Sequence, residues 1–280
     1  MDLYFQGRAN VNRGIAPENM AQARSFYERA LALDPNNIEA LVGTAEVDFV
    51  SITGFLSEDR RARAAAAEAA LTKVLLLAPN HALANYVLGG IHIYTNRAAV
   101  GIAKCEHALR LDRNLASAPP IIGMAKLFTG RAEDTENHVL EALRLSPRDT
   151  QAPRWMLAAG VAKLYLGRDE EAATWMRRAV ETNQNYPLAH FFLAAACAHL
   201  EQVSEARAAT KAGLGLDPTF TIRRFRAGAS SNNPTYLAQR ERLYDGMRKA
   251  GVPEWMRALK QQTRRATPSL LSDRACRSLR

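Results

Sequence analysis

The stretch ALALDPNN at residues 30–37 ends an apolar run on a proline, and the same ending recurs along the 280-residue chain. It returns as VLLLAPNH at 74–81, ALRLSPRD at 142–149 and GLGLDPTF at 213–220. Two further stretches keep the surroundings without the proline, ALRLDRNL at 108–115 and AVETNQNY at 179–186. The intervals between the six equivalent positions are 44, 34, 34, 37 and 34 residues. A period of this length predicts a solenoid of stacked units.

Small residues occur at fixed distances before each of these six positions. Five residues before them lie Ala30, Val74, Ala108, Ala142, Ala179 and Gly213. Twelve residues before them lie Ala23, Ala67, Gly101, Thr135, Ala172 and Ala206. In the complete repeats, the residues 24 positions before are Gly89, Gly123, Gly160 and Ala194. Small side chains at fixed places on two successive helices predict that the two helices cross closely.

The turn inside each unit has its own signal. Asn96, Gly130 and Gly167 all fall at the fifteenth position of a unit, where the first helix should end. Glycine and asparagine tolerate the left-handed conformation that commonly ends a helix. The composition agrees with helices, because the chain is 48% hydrophobic and only 7% aromatic, and alanine favours helix. Strand-like β-branched runs between turns are nearly absent, so a sheet is not expected.

The pattern resembles the tetratricopeptide repeat, or TPR, over about 220 of the 280 residues. The resemblance implies an all-α, right-handed TPR superhelix (α-solenoid) of about six helix-turn-helix repeats plus a C-terminal capping helix. Five units are expected at 38–81, 82–115, 116–149, 153–186 and 187–220. The first of these five carries about ten extra residues around FVSITGFLSEDRR, which should lengthen its helices or its turn.

The start of the chain allows two interpretations. ARSFYERALALDP is a good second helix of a repeat, so a first helix should precede it, with Gly7 at the small eighth position. Leu3–Gly7 also matches the end of a protease site used in purification tags. We expect a native first helix over Leu3–Asn10, packed on a helix at 19–33.

The domain boundaries follow from where the repeat stops. We expect a solenoid over 1–250 with a capping helix at about 235–250, and a basic tail over 251–280 that is partly disordered or a docking helix. Seven of the 37 Lys and Arg residues lie in 254–280, and the whole chain has a formal charge of +9. The run NPTYLAQRERLYDGMRKAGVPE also resembles, more weakly, the TPR arms of bacterial class III adenylyl cyclases or transcriptional regulators.

The sequence offers little for catalysis, so we expect no enzyme and no cofactor. No pair of the six histidines has HExxH spacing, and His190 and His199 with Cys197 between them are better explained as packed helix residues than as a metal site. Three widely spaced cysteines do not form a disulfide framework and suit a reducing compartment. With neither a signal pattern nor an apolar run of 18 residues, we expect a cytoplasmic protein without a membrane span.

The resemblance also implies where a partner binds, because certain positions of each first helix line the concave groove of TPR arrays. Carried over to this chain, these positions give a groove that is mostly apolar and aromatic. Its residues are Tyr86, Ile93, Tyr94, Met124, Leu127, Phe128, Arg154, Leu157, Leu164, Tyr165, Phe191 and His199. The Lys, Asn and Arg positions of the carboxylate-clamp TPR proteins are mostly apolar here, which argues against that function.

An apolar groove marks an interaction site. We therefore predict a protein-interaction scaffold for an apolar or amphipathic helical peptide, as in the regulatory arm of a bacterial signalling protein. The alternatives are that these side chains pack on one another in a tightly curved array, that the groove senses a small molecule, or that the basic tail binds nucleic acid or acidic membrane. The tail stripe Trp255, Met256 and Leu259 could also dock in the groove, within one molecule or in a homodimer.

Overall fold

The computed structural model describes residues 2–14, 16–56 and 59–255, and these residues are helical apart from turns and loops. Fourteen α-helices follow one another, and a 3₁₀ turn, Ala132–Asp134, precedes the eighth. They are α1 Asp2–Val11, α2 Pro17–Leu33, α3 Ile38–Thr53, α4 Arg60–Leu77, α5 Ala82–Tyr94, α6 Ala98–Leu111, α7 Ala118–Phe128, α8 Thr135–Leu145, α9 Ala152–Tyr165, α10 Asp169–Thr182, α11 Pro187–His199, α12 Val203–Leu216, α13 Ile222–Ala227 and α14 Pro234–Lys249.

The first twelve helices form six successive antiparallel pairs, and each helix packs mainly on its neighbours in the chain. This arrangement confirms the all-α TPR solenoid of six units. The second helix of each pair, where it is amphipathic, buries one narrow stripe: α8, for example, buries only Thr135, Val139 and Ala142. Later first helices, such as α9 and α11, are buried on almost every side, because they lie between their partners and the concave interior. The helix α1, at the end of the array, buries only Gly7, Asn10 and Val11. The short helix α13 is an element that the sequence did not predict.

The DPNN stretch works as a joint between units. The backbone N–H of Asp34 donates to the carbonyl of Ala30, which closes the last turn of α2. Three residues later the side chain of Asn37 accepts from the N–H of Ala40 at 2.9 Å and caps the start of α3. Such a cap stabilises a helix start by about 1 kcal/mol. One short stretch therefore ends one unit and starts the next.

Close helix crossings occur where the small residues were predicted. A Cβ added at Gly89 in α5 would lie 2.8 Å from the carbonyl oxygen of Gly101 in α6, and one added at Gly101 would lie 2.5 Å from the carbonyl oxygen of Gly89. The two backbones therefore touch without intervening side chains. Cys105 lies at the same crossing and is fully buried, as expected for a packed thiol.

The helical conformation predicted for Leu3–Asn10 is confirmed, because α1 spans Asp2–Val11. It packs on α2 through Gly7, whose Cα faces the ring of Tyr27 so closely that a Cβ would lie 2.3 Å from it. Gly43 of α3 faces the same ring from another side, at 2.5 Å for its added Cβ. Tyr27 is fully buried between the two glycines and centres a small separate core with Val11, Met20 and Val47.

The turn prediction is also confirmed. Asn96, Gly130 and Gly167 all have positive φ, at 63°, 83° and 73°. Glu201 occupies the equivalent position between α11 and α12 with φ 59°, although a glutamate side chain is disfavoured there. The residue type changes in this unit while the backbone conformation stays the same.

The insertion in the second pair lengthens both of its helices, to 16 residues in α3 and 18 in α4. Phe55 follows α3 with a φ of 57°, an unusual conformation for an aromatic residue. Its ring lies 5.0 Å, between centroids, from the ring of Phe225 in α13. The extra residues of the second unit therefore reach across to the segment that follows the sixth.

Candidate functional site

Aromatic side chains from successive first helices meet on the concave side of the solenoid. The ring of Phe49 in α3 lies 5.9 Å from that of Tyr94 in α5, and Tyr94 lies 5.1 Å from Phe128 in α7. Both contacts are edge-to-face, the geometry that aromatic pairs prefer. Phe128 in turn lies 5.2 Å from Tyr236 of α14, which also contacts Tyr165 of α9. One row of rings thus joins four repeats to the C-terminal helix.

This row borders a cavity of about 130 Å³ inside the solenoid. Its wall is mostly apolar, with a few polar groups between the rings. Eight of the twelve groove residues predicted from the sequence lie on this wall: Tyr86, Tyr94, Met124, Leu127, Phe128, Arg154, Leu157 and Tyr165. The cavity is the candidate functional site.

The structure places the other four predicted groove residues away from this cavity. Ile93 and Leu164 are fully buried, and Ile93 fills the space beside Gly101 of the paired helix. Phe191 packs on Gly213 and stacks on Phe220 with ring centroids 3.9 Å apart. Ile93 and Phe191 therefore face the helices packed against them, and Leu164 is enclosed in the core. The fourth, His199, has its ring Nε2 at 2.9 Å from the main-chain oxygen of Arg242 in α14.

The helix α14 lies along the concave side and covers it. Its N-terminal end meets the turns of the third and fourth units, where the N–H of Asn232 donates to the side-chain oxygen of Asn96. Farther along, its residues contact α9 and then α11. A Cβ added at Gly246 would lie 2.7 Å from the carbonyl oxygen of Ala195, so α14 and α11 are also in backbone contact. The predicted capping helix therefore occupies the groove as well as ending the array.

The insertion loop and α13 close the cavity from another side. The guanidinium of Arg60 lies 4.3 Å above the ring of Phe55 and donates to the carbonyl of Gly228 at 3.0 Å and to that of Ile52. Arg224 donates to the carbonyl of Phe55 at 3.3 Å. A Cβ added at Gly228 would lie 2.3 Å from the guanidinium of Arg60 and 2.6 Å from the ring of Phe55, so both side chains would have to shift. We call Phe55, Arg60, Arg224, Phe225 and Gly228 the clasp.

Two arginines line the cavity, and both donate to neutral oxygens. Arg154 of α9 donates to the side-chain oxygen of Gln151 at 3.3 Å and to the hydroxyls of Thr53 and Tyr186. Arg240 of α14 is only 3% exposed. It donates to the Tyr236 hydroxyl and to the Phe225 carbonyl, both at 2.7 Å, while its Nε has no partner.

The aromatic rings around Arg240 help to hold its charge. Its guanidinium carbon lies 4.6 Å from the ring centre of Phe225 and 5.5 Å from that of Tyr244. Cation–π contacts of this kind are worth about 2 kcal/mol where water is excluded. The position of Arg240, Tyr236 and Phe225 on the cavity wall was not predicted from the sequence, because these residues follow the last repeat. The i, i+4, i+8 spacing of Tyr236, Arg240 and Tyr244 was the available signal for a second buried face.

Four tyrosines of the wall, Tyr86, Tyr94, Tyr165 and Tyr186, stay neutral over the physiological range. Burial raises the pKa of Tyr94 to about 12, even though Arg154 acts in the opposite direction. Burial likewise raises the pKa of Tyr86, Tyr165 and Tyr186. These hydroxyls can donate or accept hydrogen bonds, but they do not supply negative charge to the arginines.

The histidines and acidic residues that the structure describes do not form a metal site. Among the described residues, groups of three or more His, Cys, Asp or Glu residues placed to hold a metal are absent. The His190 ring lies 2.8 Å from the carbonyl of Gln184, so it has a structural partner. Among the same residues, the helices are too short or too polar to cross a bilayer.

Comparisons with known proteins agree with the fold. A tetratricopeptide-repeat family model matches residues 18–37, which contain most of α2 and the first DPNN joint. No curated protein matches the sequence. The TPR resemblance is thus confirmed by the family model and by solved TPR structures.

The solved structures share the fold at low sequence identity. A human IFIT1 dimer with PPP-AAAA superimposes with a TM-score of 0.62 at 17% identity, covering 90% of this chain and 61% of that one. The Cut9–Hcn1 hetero-tetramer of the APC/C superimposes with a TM-score of 0.61 at 16% identity, covering 74% of this chain. PilF of Pseudomonas aeruginosa superimposes with a TM-score of 0.51 at 18% identity, covering 81% of this chain and 93% of PilF. The chain spans 39% of the Cut9–Hcn1 chain that it matches.

Proposed function

We propose that this protein is a non-enzymatic interaction scaffold whose concave groove binds an apolar or amphipathic helix of a protein partner. TPR proteins mediate protein–protein interactions. The observation that carries the proposal is α14, because the groove already holds one amphipathic helix of the same chain. Binding of a helix in an apolar groove is a common mode of peptide recognition.

The contacts of α14 show what such a helix must offer. Its buried apolar side chains are Tyr236, Leu243, Tyr244 and Met247, each at most 2% exposed. Burial of a large apolar side chain contributes about 1.5–3 kcal/mol, so this face contributes on the order of 6–12 kcal/mol at most. A partner helix that takes the same place needs a comparable apolar face.

The size of the cavity sets how the partner enters. An α-helix with side chains is about 10–12 Å across, whereas the cavity beside α14 measures about 130 Å³. A second helix therefore does not fit next to α14. We propose that the partner helix exchanges with α14, which swings out with α13 when the clasp opens.

The test weakens the packing of α14 in the groove and measures the binding of a peptide helix to the protein. Leu243→Ala removes a fully buried contact of α14, whereas Leu237→Ala, on the same helix, removes a side chain that is 40% exposed. The probe is a fluorescent peptide with the sequence of residues 234–249, titrated by polarisation. We expect the Leu243→Ala protein to bind this peptide at least about tenfold more tightly than the Leu237→Ala control, because truncating a buried leucine costs about 2–5 kcal/mol.

A photo-crosslinking experiment identifies the partner. A photoreactive residue at Met124, on the cavity wall, should capture a protein that one at Leu140, exposed at the outer surface, does not. Equal peptide binding by the two leucine variants, together with identical crosslinks from both positions, would contradict the groove as the binding surface.

We place this scaffold in the cytoplasm of a bacterium, as the regulatory arm of a signalling protein. Two observations support this setting: the resemblance of the run 233–254 to such arms, and the two free buried thiols, Cys105 and Cys197, which suit a reducing compartment. Co-purification of the native protein with a cyclase or a DNA-binding regulator would test it.

The basic tail is the basis of the alternative function, binding to nucleic acid or acidic membrane. Residues 256–280 lie outside the described part of the chain, so this alternative and docking of the tail in a homodimer stay predictions. Trp255, the last described residue, is half exposed and lies under the guanidinium of Arg223 at 4.3 Å. A steep loss of nucleic-acid binding with added salt would support the alternative.

A further inference from the structure

The cavity wall carries positive charge that is not matched by nearby carboxylates. Among the described residues, neither Arg154 nor Arg240 forms an ion pair within 4.0 Å, although seventeen other ion pairs are present there. Buried cations are costly unless paired. The buried Arg240 and the half-buried Arg154 lie on one wall, and together they indicate that an anion belongs there.

The one carboxylate on the described wall is already paired. Glu46 lines the cavity, but it forms an ion pair with Arg8 of α1. Its charge is therefore balanced by another arginine. The hydroxyls of Tyr94 and Tyr165 on the wall are neutral, as their raised pKa values require. Within residues 2–14, 16–56 and 59–255, Arg154 and Arg240 therefore have no anionic partner.

The two arginines differ in how firmly they are held. Arg240 is fixed by two short hydrogen bonds and by rings on its faces, and its unpartnered Nε lies in a region closed to water. Arg154 is half-buried and its acceptors are an amide and two hydroxyls, groups that a carboxylate can displace. Hydrogen bonds between a guanidinium and a carboxylate are stronger than those to neutral oxygens.

The space beside the arginines suits a small ring. At about 130 Å³ the cavity is slightly smaller than the engineered 150 Å³ cavity that binds benzene. Tyr94, Phe128 and Leu157 contribute aromatic and aliphatic surface to its wall. An apolar body of about six heavy atoms fits such a space, whereas a larger fused-ring system does not.

From this geometry we propose that the cavity binds a small aromatic carboxylic acid. The ring lies among Tyr94, Phe128 and Leu157, and the carboxylate pairs with Arg154, in the field of Arg240. This site goes beyond the proposed scaffold function, because it exists only while α14 and the clasp are closed. If the arginines serve structure alone, holding α13 and α9 in place through neutral oxygens, no anion is selected.

The test is calorimetric titration of the full-length protein with benzoate and with benzamide, its neutral counterpart of nearly the same shape. Benzoate should bind at least about tenfold more tightly than benzamide, since hydrogen bonds between charged groups are stronger than those to a neutral amide. Arg154→Gln should remove most of this preference, and Arg154→Lys should retain part of it. Arg110→Gln, at an exposed arginine of α6, is the control and should bind like the original protein.

A second variant tests the space independently of the charge. Ala158 lines the cavity and is nearly buried, so Ala158→Leu should fill the cavity and abolish benzoate binding while circular dichroism stays helical. The proposal is overturned if the original protein gives no heat with benzoate, if benzamide binds equally well, or if Arg154→Gln keeps the preference. Failure of benzoate to bind would leave the peptide exchange at the groove unaffected, because the peptide titration does not depend on an acid.

Discussion

The contact between α5 and α6 gives the sharpest test of the repeat register. Gly89→Ala adds a methyl group 2.6 Å from the Cys105 sulfur and 2.8 Å from the carbonyl oxygen of Gly101. The sulfur can rotate away, but the carbonyl belongs to the backbone of α6, so the two helices must separate. Such overpacking costs about 1–3 kcal/mol. The better helix propensity of alanine returns about 1 kcal/mol, so we expect a net loss of up to about 2 kcal/mol.

The chain offers a matched control at Gly215. This glycine also lies in a helix, α12, but a Cβ there would meet no atom within 4 Å. Gly215→Ala should therefore raise stability by about 0.5–1 kcal/mol through helix propensity alone. Urea unfolding followed by far-UV circular dichroism measures the stability of both variants. The urea midpoints can be compared directly if the slope of the unfolding free energy against urea concentration is unchanged. If the two variants shift the midpoint in the same direction, the close crossing at Gly89 is refuted.

Three further predictions concern other parts of the chain. Glu201→Gly should stabilise the protein by about 1 kcal/mol in thermal melting, because a left-handed backbone costs a non-glycine residue about 1–2 kcal/mol; an unchanged or lower melting temperature would contradict this. Burial raises the pKa of Cys105 to about 12 and of Cys197 to about 11, so iodoacetamide at pH 8 should label these thiols only when the protein unfolds, as peptide mass spectrometry would show. The bidentate hydrogen bonds from Arg97 lower the pKa of Glu68. Their contribution to folding stability is therefore present above the usual glutamate pKa of about 4.3 and is lost as the pH falls through the lower pKa of the folded state. The Arg97→Gln protein should be less stable than the original by about 0.5 kcal/mol at pH 7, and this difference should disappear in acid.

The repeat fold was predictable because its determinants are local. The left-handed turns at Asn96, Gly130 and Gly167 depend on one residue each, and the crossing at Gly89 depends on a fixed distance along the chain. The turn at Glu201 was not predicted, because glutamate does not favour the left-handed conformation and so gives no sequence signal for it. There the neighbouring helices, α11 and α12, impose the backbone angle.

The closure of the groove could not be predicted in the same way. Eight of the twelve predicted groove residues lie on the cavity wall, since a repeat position indicates which face of a helix looks inward. The clasp depends instead on how far the array curves, which brings Phe55 to Phe225 from opposite parts of the sequence. Curvature accumulates from small rotations at every helix crossing, and no short stretch of sequence specifies it. Arg240, as part of the last helix, was missed for the same reason.

The hydrogen bond between Arg60 and the Gly228 carbonyl joins residues 168 positions apart. In an open repeat array each unit contacts only its neighbours, so the ends can fray while the middle remains folded. Here the last helices cannot leave without breaking contacts in the second unit. Unfolding should therefore be more cooperative than in an open array of equal length. Folding should also be slower, because the contact between the second unit and α13 forms only after the long segment between them has been ordered.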